Sequence, residues 1–257
     1  MRVIGKIIGA STGFFLAGPF GALAGVALGH QLLDQPPREF FGVPMSEREV
    51  KNSVFFAATF AMLGKLAQAD GRVSESELAA IKNIIENKFN LSRRSADFAY
   101  KTFTAAIEDD LSFASHARAF HSQFTNAPEA LTSMLETMLV LAHADFEYDD
   151  SEESLIKSAA QIFGLQDEYP TILALFQSQP DSLEHCYLLL GVNIDESDEV
   201  LAARVQHLLR EHDPELLIQE GVPRELANLS SEKHEQIQQA YKTIQQARAS
   251  QETVVAT

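Results

Sequence analysis

The 257-residue chain has a single cysteine, Cys186. This excludes an internal disulfide and any zinc site built on four cysteines, or on two cysteines with two histidines. It does not suit a secreted, disulfide-stapled domain either. Positive charge is also scarce, with 20 basic residues against 36 acidic ones and a net charge of −16. Arg2, Lys6 and Arg38 against Asp34 leave the first 38 residues at +2, so the remaining 219 carry −18. A body this acidic repels phosphate, which excludes nucleic-acid binding through a basic surface. Strand-like alternation is rare, and there is no P-loop, no dinucleotide fingerprint and no Ser-His-Asp order. No enzyme is predicted. What the chain does have is apolar residues, 46% of the total, enough to bury a core.

The longest apolar run is at the N-terminus. Residues 7–29 read IIGASTGFFLAGPFGALAGVALG, 23 residues without a charge. As a helix this spans about 34 Å, enough for a hydrocarbon core of roughly 30 Å. Pro19 sits mid-span, where membranes tolerate a kink. Gly5, Gly9, Gly13, Ala17, Gly21, Gly25 and Gly29 recur every fourth residue. That step drifts slowly around a helix and leaves one groove of small residues, a face on which another helix can pack closely. We therefore expect a transmembrane segment over 1–33 that pairs with itself or with a related chain. The rival is a cleaved signal peptide ending at Ala22-Leu23-Ala24, but the apolar run continues past it to Leu33. Basic residues flank both ends, so charge alone does not set the orientation.

Residues 34–46 form a linker in which Pro36, Pro37 and Pro44 forbid a continuous helix. Over 47–180 the apolar positions follow helical spacing: Phe56, Phe60, Leu63 and Ala67 in one stretch, Met134, Leu135, Met138, Leu141 and Ala142 in another. Turn signals at Asp70-Gly71, Asn126-Ala127-Pro128, Gly164 and Pro170 divide this body into six to eight helices. Phe55, Phe56 and Phe60 are read as core. The body repeats itself: LAQADGRVSESELAAIKNI from Leu66 matches LAHADFEYDDSEESLIKSA from Leu141 at a constant offset of 75 residues. Each copy reads helix, acidic turn, helix. Ser74 with Glu77 forms a capping box, and Ser151 or Ser154 is the candidate cap in the second copy.

This repeat resembles the TerB-like domain, a helical domain with paired Ala-Asp-Gly turns and a glutamate seven residues after each aspartate. The first copy matches as Ala69-Asp70-Gly71 with Glu77; the second has Phe146 in place of the glycine. TerB-like domains are associated with metal or tellurite stress. Carried over, the resemblance implies Asp70, Glu77, Asp145 and Glu152 as oxygen ligands, a set suited to calcium, magnesium or manganese ions. From the residues themselves, helix capping and a solvated acidic face account for the same carboxylates, and no cofactor is required.

Residues 181–250 form a separate three-helix unit: Leu183 to Leu190, Glu196 to about Glu211, a loop, then Ser230 to about Ala249, followed by a short tail over 251–257. Leu183 to Val192 and Glu235 to Tyr241 resemble the first- and third-helix signatures of a J domain. A membrane segment, a TerB-like body and a terminal J-like unit in this order resemble the DjlA family, membrane-anchored DnaJ-like co-chaperones of Gram-negative bacteria. The resemblance implies an all-α fold, an inner-membrane anchor with the body in the cytoplasm, and a DnaK-type chaperone as partner.

In a J domain, a basic second helix steers the unit onto the chaperone and a His-Pro-Asp tripeptide triggers ATP hydrolysis. Here the matching residues are Asp213-Pro214-Glu215, preceded by a solvated His212. On the second helix only Arg204, His207 and Arg210 stand where basic residues are expected, and residues 181–257 carry 6 bases against 14 acids. Losing steering charges costs on-rate and affinity. The expectation is a membrane-anchored scaffold or regulator that contacts a DnaK-type chaperone weakly and binds protein partners through its helical body. An active co-chaperone and a metal- or stress-responsive binding module are the alternatives.

Overall fold

A computed structural model describes residues 39–40, 43–44, 47–108, 111–144, 149–180 and 182–255. The glycine face from Gly5 to Gly29 lies outside them, and so does Asp145. Among the described residues no helix is long and apolar enough to cross a membrane.

The described residues are all-helical apart from one small ladder in the linker, where β1 (Glu39–Phe40) pairs antiparallel with β2 (Val43–Pro44). Nothing in the sequence signals this ladder. Seven of the described α-helices build the body: α1 (Glu47–Ala67), α2 (Glu75–Asn83), α3 (Arg93–Glu108), α4 (Phe113–Phe124), α5 (Pro128–Ala142), α6 (Asp150–Phe163) and α7 (Tyr169–Gln177). A π-helical turn, Ile84–Lys88, extends α2. Four more follow: α8 (Leu183–Leu190), α9 (Asp198–Glu211), α10 (Pro214–Gln219) and α11 (Arg224–Val255).

Helix α1 is the centre of the body. From Phe55 to Leu63 every residue is buried, so it is enclosed on all sides, the pattern of a helix surrounded by others. It packs on α3, α4 and α5. Phe55 sits among Phe56, Phe89, Phe120 and Phe124, with ring centroids 5.3 to 6.4 Å away. Phe55, Phe56 and Phe60 are core residues, as the sequence reading holds. At Gly64 the α1 and α3 backbones meet: a Cβ there would collide with the carbonyl oxygen of Phe103 and lie 3.2 Å from the Ala106 Cβ.

The two repeat copies are capped alike. Ser74 Oγ accepts from the Glu77 amide at 3.1 Å, and Glu77 Oε2 accepts from the Ser74 amide at 2.7 Å. In the second copy the cap is neither Ser151 nor Ser154. Asp149 Oδ1 accepts from the amides of Ser151 and Glu152 at 2.6 and 3.0 Å, and Glu152 Oε2 accepts from the Asp149 amide at 3.2 Å. Asp149 stands 75 residues after Ser74, so the offset survives with a carboxylate in place of a hydroxyl.

The C-terminal unit departs from expectation in two places. The segment read as a loop after Glu211 contains α10, and the third helix begins at Arg224 rather than Ser230 and runs on to Val255. One small apolar core joins Tyr187 and Leu190 of α8, Leu201 and Val205 of α9, and Ile237 and Ile244 of α11. Leu217, Val222, Leu226 and Leu229, from the same C-terminal stretch, belong to the body's larger core.

Candidate functional site: the J-like turn and the capped acidic turns

Helix α8 starts at Ser182, whose Oγ accepts from the His185 amide at 3.0 Å, and ends at Gly191 in the left-handed region. A glycine adopts that conformation without steric cost, which fixes the turn into α9. Of the three predicted contact residues on α9, Arg204 is turned inward: its Nε donates to the Leu190 carbonyl at 3.2 Å and so satisfies the end of α8. His207 Nε2 lies 3.6 Å from Glu211 Oε1. Arg210 is exposed. The basic face is thus reduced further than composition implies, because one of its two arginines serves the fold.

The turn itself is a helix start. Asp213 is the N-cap of α10, with Oδ1 accepting from the amides of Glu215 at 2.9 Å and Leu216 at 3.4 Å. Pro214 takes the first helical position, where its missing N–H costs nothing. Leu217, one helical turn on, is buried in the body core. Asp213-Pro214-Glu215 is therefore a capping sequence.

His212 is not the solvated residue its acidic loop predicts. It is half-buried, and its Nδ1 has no hydrogen-bond partner among the described residues. Burial, then the Lys233 ammonium, push the ring down from 6.5 to about 4 against the opposing pull of Glu136; His234 and Arg204 add to the depression. The ring is neutral at pH 7. In the unfolded chain His212 takes up a proton before it does in the folded one, so the stability its neutral ring gives the folded state is present above 6.5 and drains away as pH falls toward 4. Glu129 on α5 works the other way: burial and then the like charges of Glu211 and Glu220 raise its carboxyl, overcoming its own backbone N–H. We expect the melting temperature to drop less between pH 7 and pH 5 in His212→Gln than in the unaltered chain. An identical drop would remove the ring from the balance.

Farther along, Arg248 clasps the small unit together. Its Nη1 bonds Asp198 Oδ1 at 2.6 Å, Nε donates to the Tyr187 hydroxyl at 3.1 Å and Nη2 to the Ile194 carbonyl at 3.2 Å. Sequence reasoning misses this arginine, because its partners lie 50 to 61 residues away in the chain.

At the acidic turns, Glu77 and Glu152 are buried and engaged in their capping boxes. Asp70 Oδ1 accepts from the Arg72 amide at 3.0 Å, and its Oδ2 lies 3.3 Å from Arg72 Nε. Among the described residues no group of three or more His, Cys, Asp or Glu side chains is placed to hold a metal.

A helical body with two capped acidic turns, extended by a three-helix J-like unit, defines the class. Residues 56–170 match the family model of tellurite resistance protein TerB, and residues 1–46 match the co-chaperone DjlA transmembrane domain. The co-chaperone protein DjlA of Coxiella burnetii is 27% identical, covering 97% of this chain and 99% of the relative. The DjlA proteins of Shewanella oneidensis and Escherichia coli K12 are 28% and 24% identical, each over 96% of this chain. No solved structure matches. The chain is a DjlA-like protein.

Proposed function

We propose that this chain is an inner-membrane co-chaperone-type protein, its body in the cytoplasm, that scaffolds or regulates a DnaK-type chaperone system without stimulating its ATPase. The co-chaperone names of relatives that span nearly the whole chain support the system. One observation carries the loss of stimulation: the Asp213 carboxylate, at the place of the triggering imidazole, is spent on capping α10. The turn offers no imidazole at that position, and the neighbouring His212 ring is half-buried. Arg204 is likewise withdrawn from the contact face into the fold.

In this reading the helical body binds protein partners, and the small-residue face from Gly5 to Gly29 pairs the chain with itself or with a DjlA-like paralogue. Self-association in a membrane two-hybrid assay is the readout for that pairing. The reading assigns the acidic turns to helix capping and gives them no metal.

The test is single-turnover ATP hydrolysis by the cognate DnaK-type chaperone, with the full chain in lipid nanodiscs and a DjlA protein as control. We expect the rate to stay within about twofold of the chaperone alone, since an interaction absent from the activated state leaves its barrier unchanged. Stimulation matching the control would overturn the reading and return the chain to the activity for which its relatives are named.

A further inference from the structure

Five large apolar side chains are exposed among the described residues, and two of them, Leu78 and Tyr100, line one groove between α2 and α3. The groove has a volume of about 560 Å3, and Ile85 and Ala96 share its walls. Ile85 lies in the π-helical turn that extends α2, a kind of turn frequent at functional sites. Exposed apolar surface rimmed by charge marks a contact surface, and tyrosine is over-represented among the residues that carry binding energy.

The rim of this groove is polarised. Toward the connection at 89–92, α2 and its π turn present Lys82 and then Glu86; leaving it, α3 presents Asp97 and then Lys101. On each side the ammonium stands about 6 Å farther from the connection than the carboxylate. One end of the groove is thus acidic and the other basic. All four side chains are exposed, and none forms an ion pair with another described residue. Size is graded the same way, with Ala96 at the acidic end and Tyr100 one helical turn on, toward the basic end.

We propose that the groove is a self-association surface whose occupant is a second copy of this chain, packed antiparallel about a two-fold axis that crosses the groove. In that arrangement α2 faces α2 and α3 faces α3. Lys82 of one copy meets Glu86 of the other, Asp97 meets Lys101, and Tyr100 seats over Ala96, each contact occurring twice. A parallel arrangement sets acid on acid and base on base, which is repulsive. Copies of a chain with net charge −16 repel each other in general, whereas this groove balances two lysines against two carboxylates. Eight lining residues per copy fall short of the roughly 20–30 a side in a stable interface between free proteins. Tethering two copies in one membrane raises their effective concentration and makes up for that. Residues 1–46, which match the DjlA transmembrane domain, supply the tether. The inference rests on that anchor, and not on the J-like turn.

Crosslinking of the full chain in lipid vesicles, at a low protein-to-lipid ratio, tests the groove. The single native cysteine, Cys186, is buried. Asn83→Cys therefore places one reactive thiol on exposed α2 surface, next to the midpoint between Lys82 and Glu86. A short bismaleimide should join two copies through position 83. Lys82→Glu with Lys101→Glu makes the rim wholly acidic, and Glu86→Lys with Asp97→Lys makes it wholly basic. Each pair of changes should cut the crosslinked fraction by about fivefold or more, and mixing the two variants should bring it back.

The four charged positions are exposed and unpaired, so the melting temperature should stay near its original value. Where a reversed variant melts lower, Tyr100→Ser, which removes the aromatic contact and no charge, is read in its place, with the same loss expected. No crosslink through position 83, a crosslink that survives both reversals, or one that fails to return on mixing overturns the proposal. Flotation with the vesicles reads the anchor separately. A chain that stays in solution sinks the anchor, and the same series is then read at high protein concentration by the same criterion.

Discussion

Phe55→Ala lowers the stability of the body by about 3–5 kcal/mol, the range for emptying a fully buried aromatic site. Phe55 has no exposed surface and sits where α1 meets the aromatic side chains of α4 and the π-helical turn. Edge contacts to Phe56 and Phe89 at 5.3 and 5.8 Å add a specific aromatic contribution of about 0.5–1.5 kcal/mol per pair to the area buried. The site cannot collapse cheaply, because α1 is enclosed on its other faces by α3 and α5. Chemical denaturation of the full chain is the measurement, with Leu78→Ala as comparison. Leu78 is 36% exposed and should cost well under half as much. A loss below about 1.5 kcal/mol at Phe55 would mean that α1 is not the centre of the core.

Gly64→Ala pits two effects of opposite sign. Inside an exposed helix alanine is favoured over glycine by about 1 kcal/mol. Here the new methyl meets the Phe103 carbonyl oxygen, part of the α3 backbone, with the Ala106 Cβ 3.2 Å away on its other side. Moving a backbone segment to relieve overpacking costs about 1–3 kcal/mol, and a rigid carbonyl places the case at the upper end. The net expectation is a loss of about 2 kcal/mol. Gly64→Val should lose more, since it adds two further methyls and branches at Cβ. If Gly64→Ala stabilises the chain, propensity has won and the two backbones do not approach this closely.

Much of the fold is legible in the sequence because its signals are local. The 75-residue offset and the Ser74–Glu77 box are both written in short stretches, and the limits of α8 follow from Ser182 and Gly191. Reading fails where a residue has two meanings. Asp213-Pro214 draws notice for the trigger it lacks, although Asp followed by Pro is also a common way to begin a helix. The apolar spacing of Leu217, Val222 and Leu226 in the same supposed loop supports the helices that are found there. The second capping box falls two or more residues too late when only serines are sought, because an aspartate serves there. The Lys233–Glu136 pair cannot be read at all: its partners stand 97 residues apart, and no local pattern joins them.

The division of α11 between two cores bears on how the chain matures. Domains generally fold as units, in order of synthesis. Here the body cannot close its core when its own seventh helix has been made, because Val222, Leu226 and Leu229 are still missing. From residue 177 until residue 229 is available, the sockets for those side chains stay open. During synthesis the protein therefore passes through a stage in which finished helices carry an unfinished apolar surface, exposed until the chain has grown more than fifty residues beyond them.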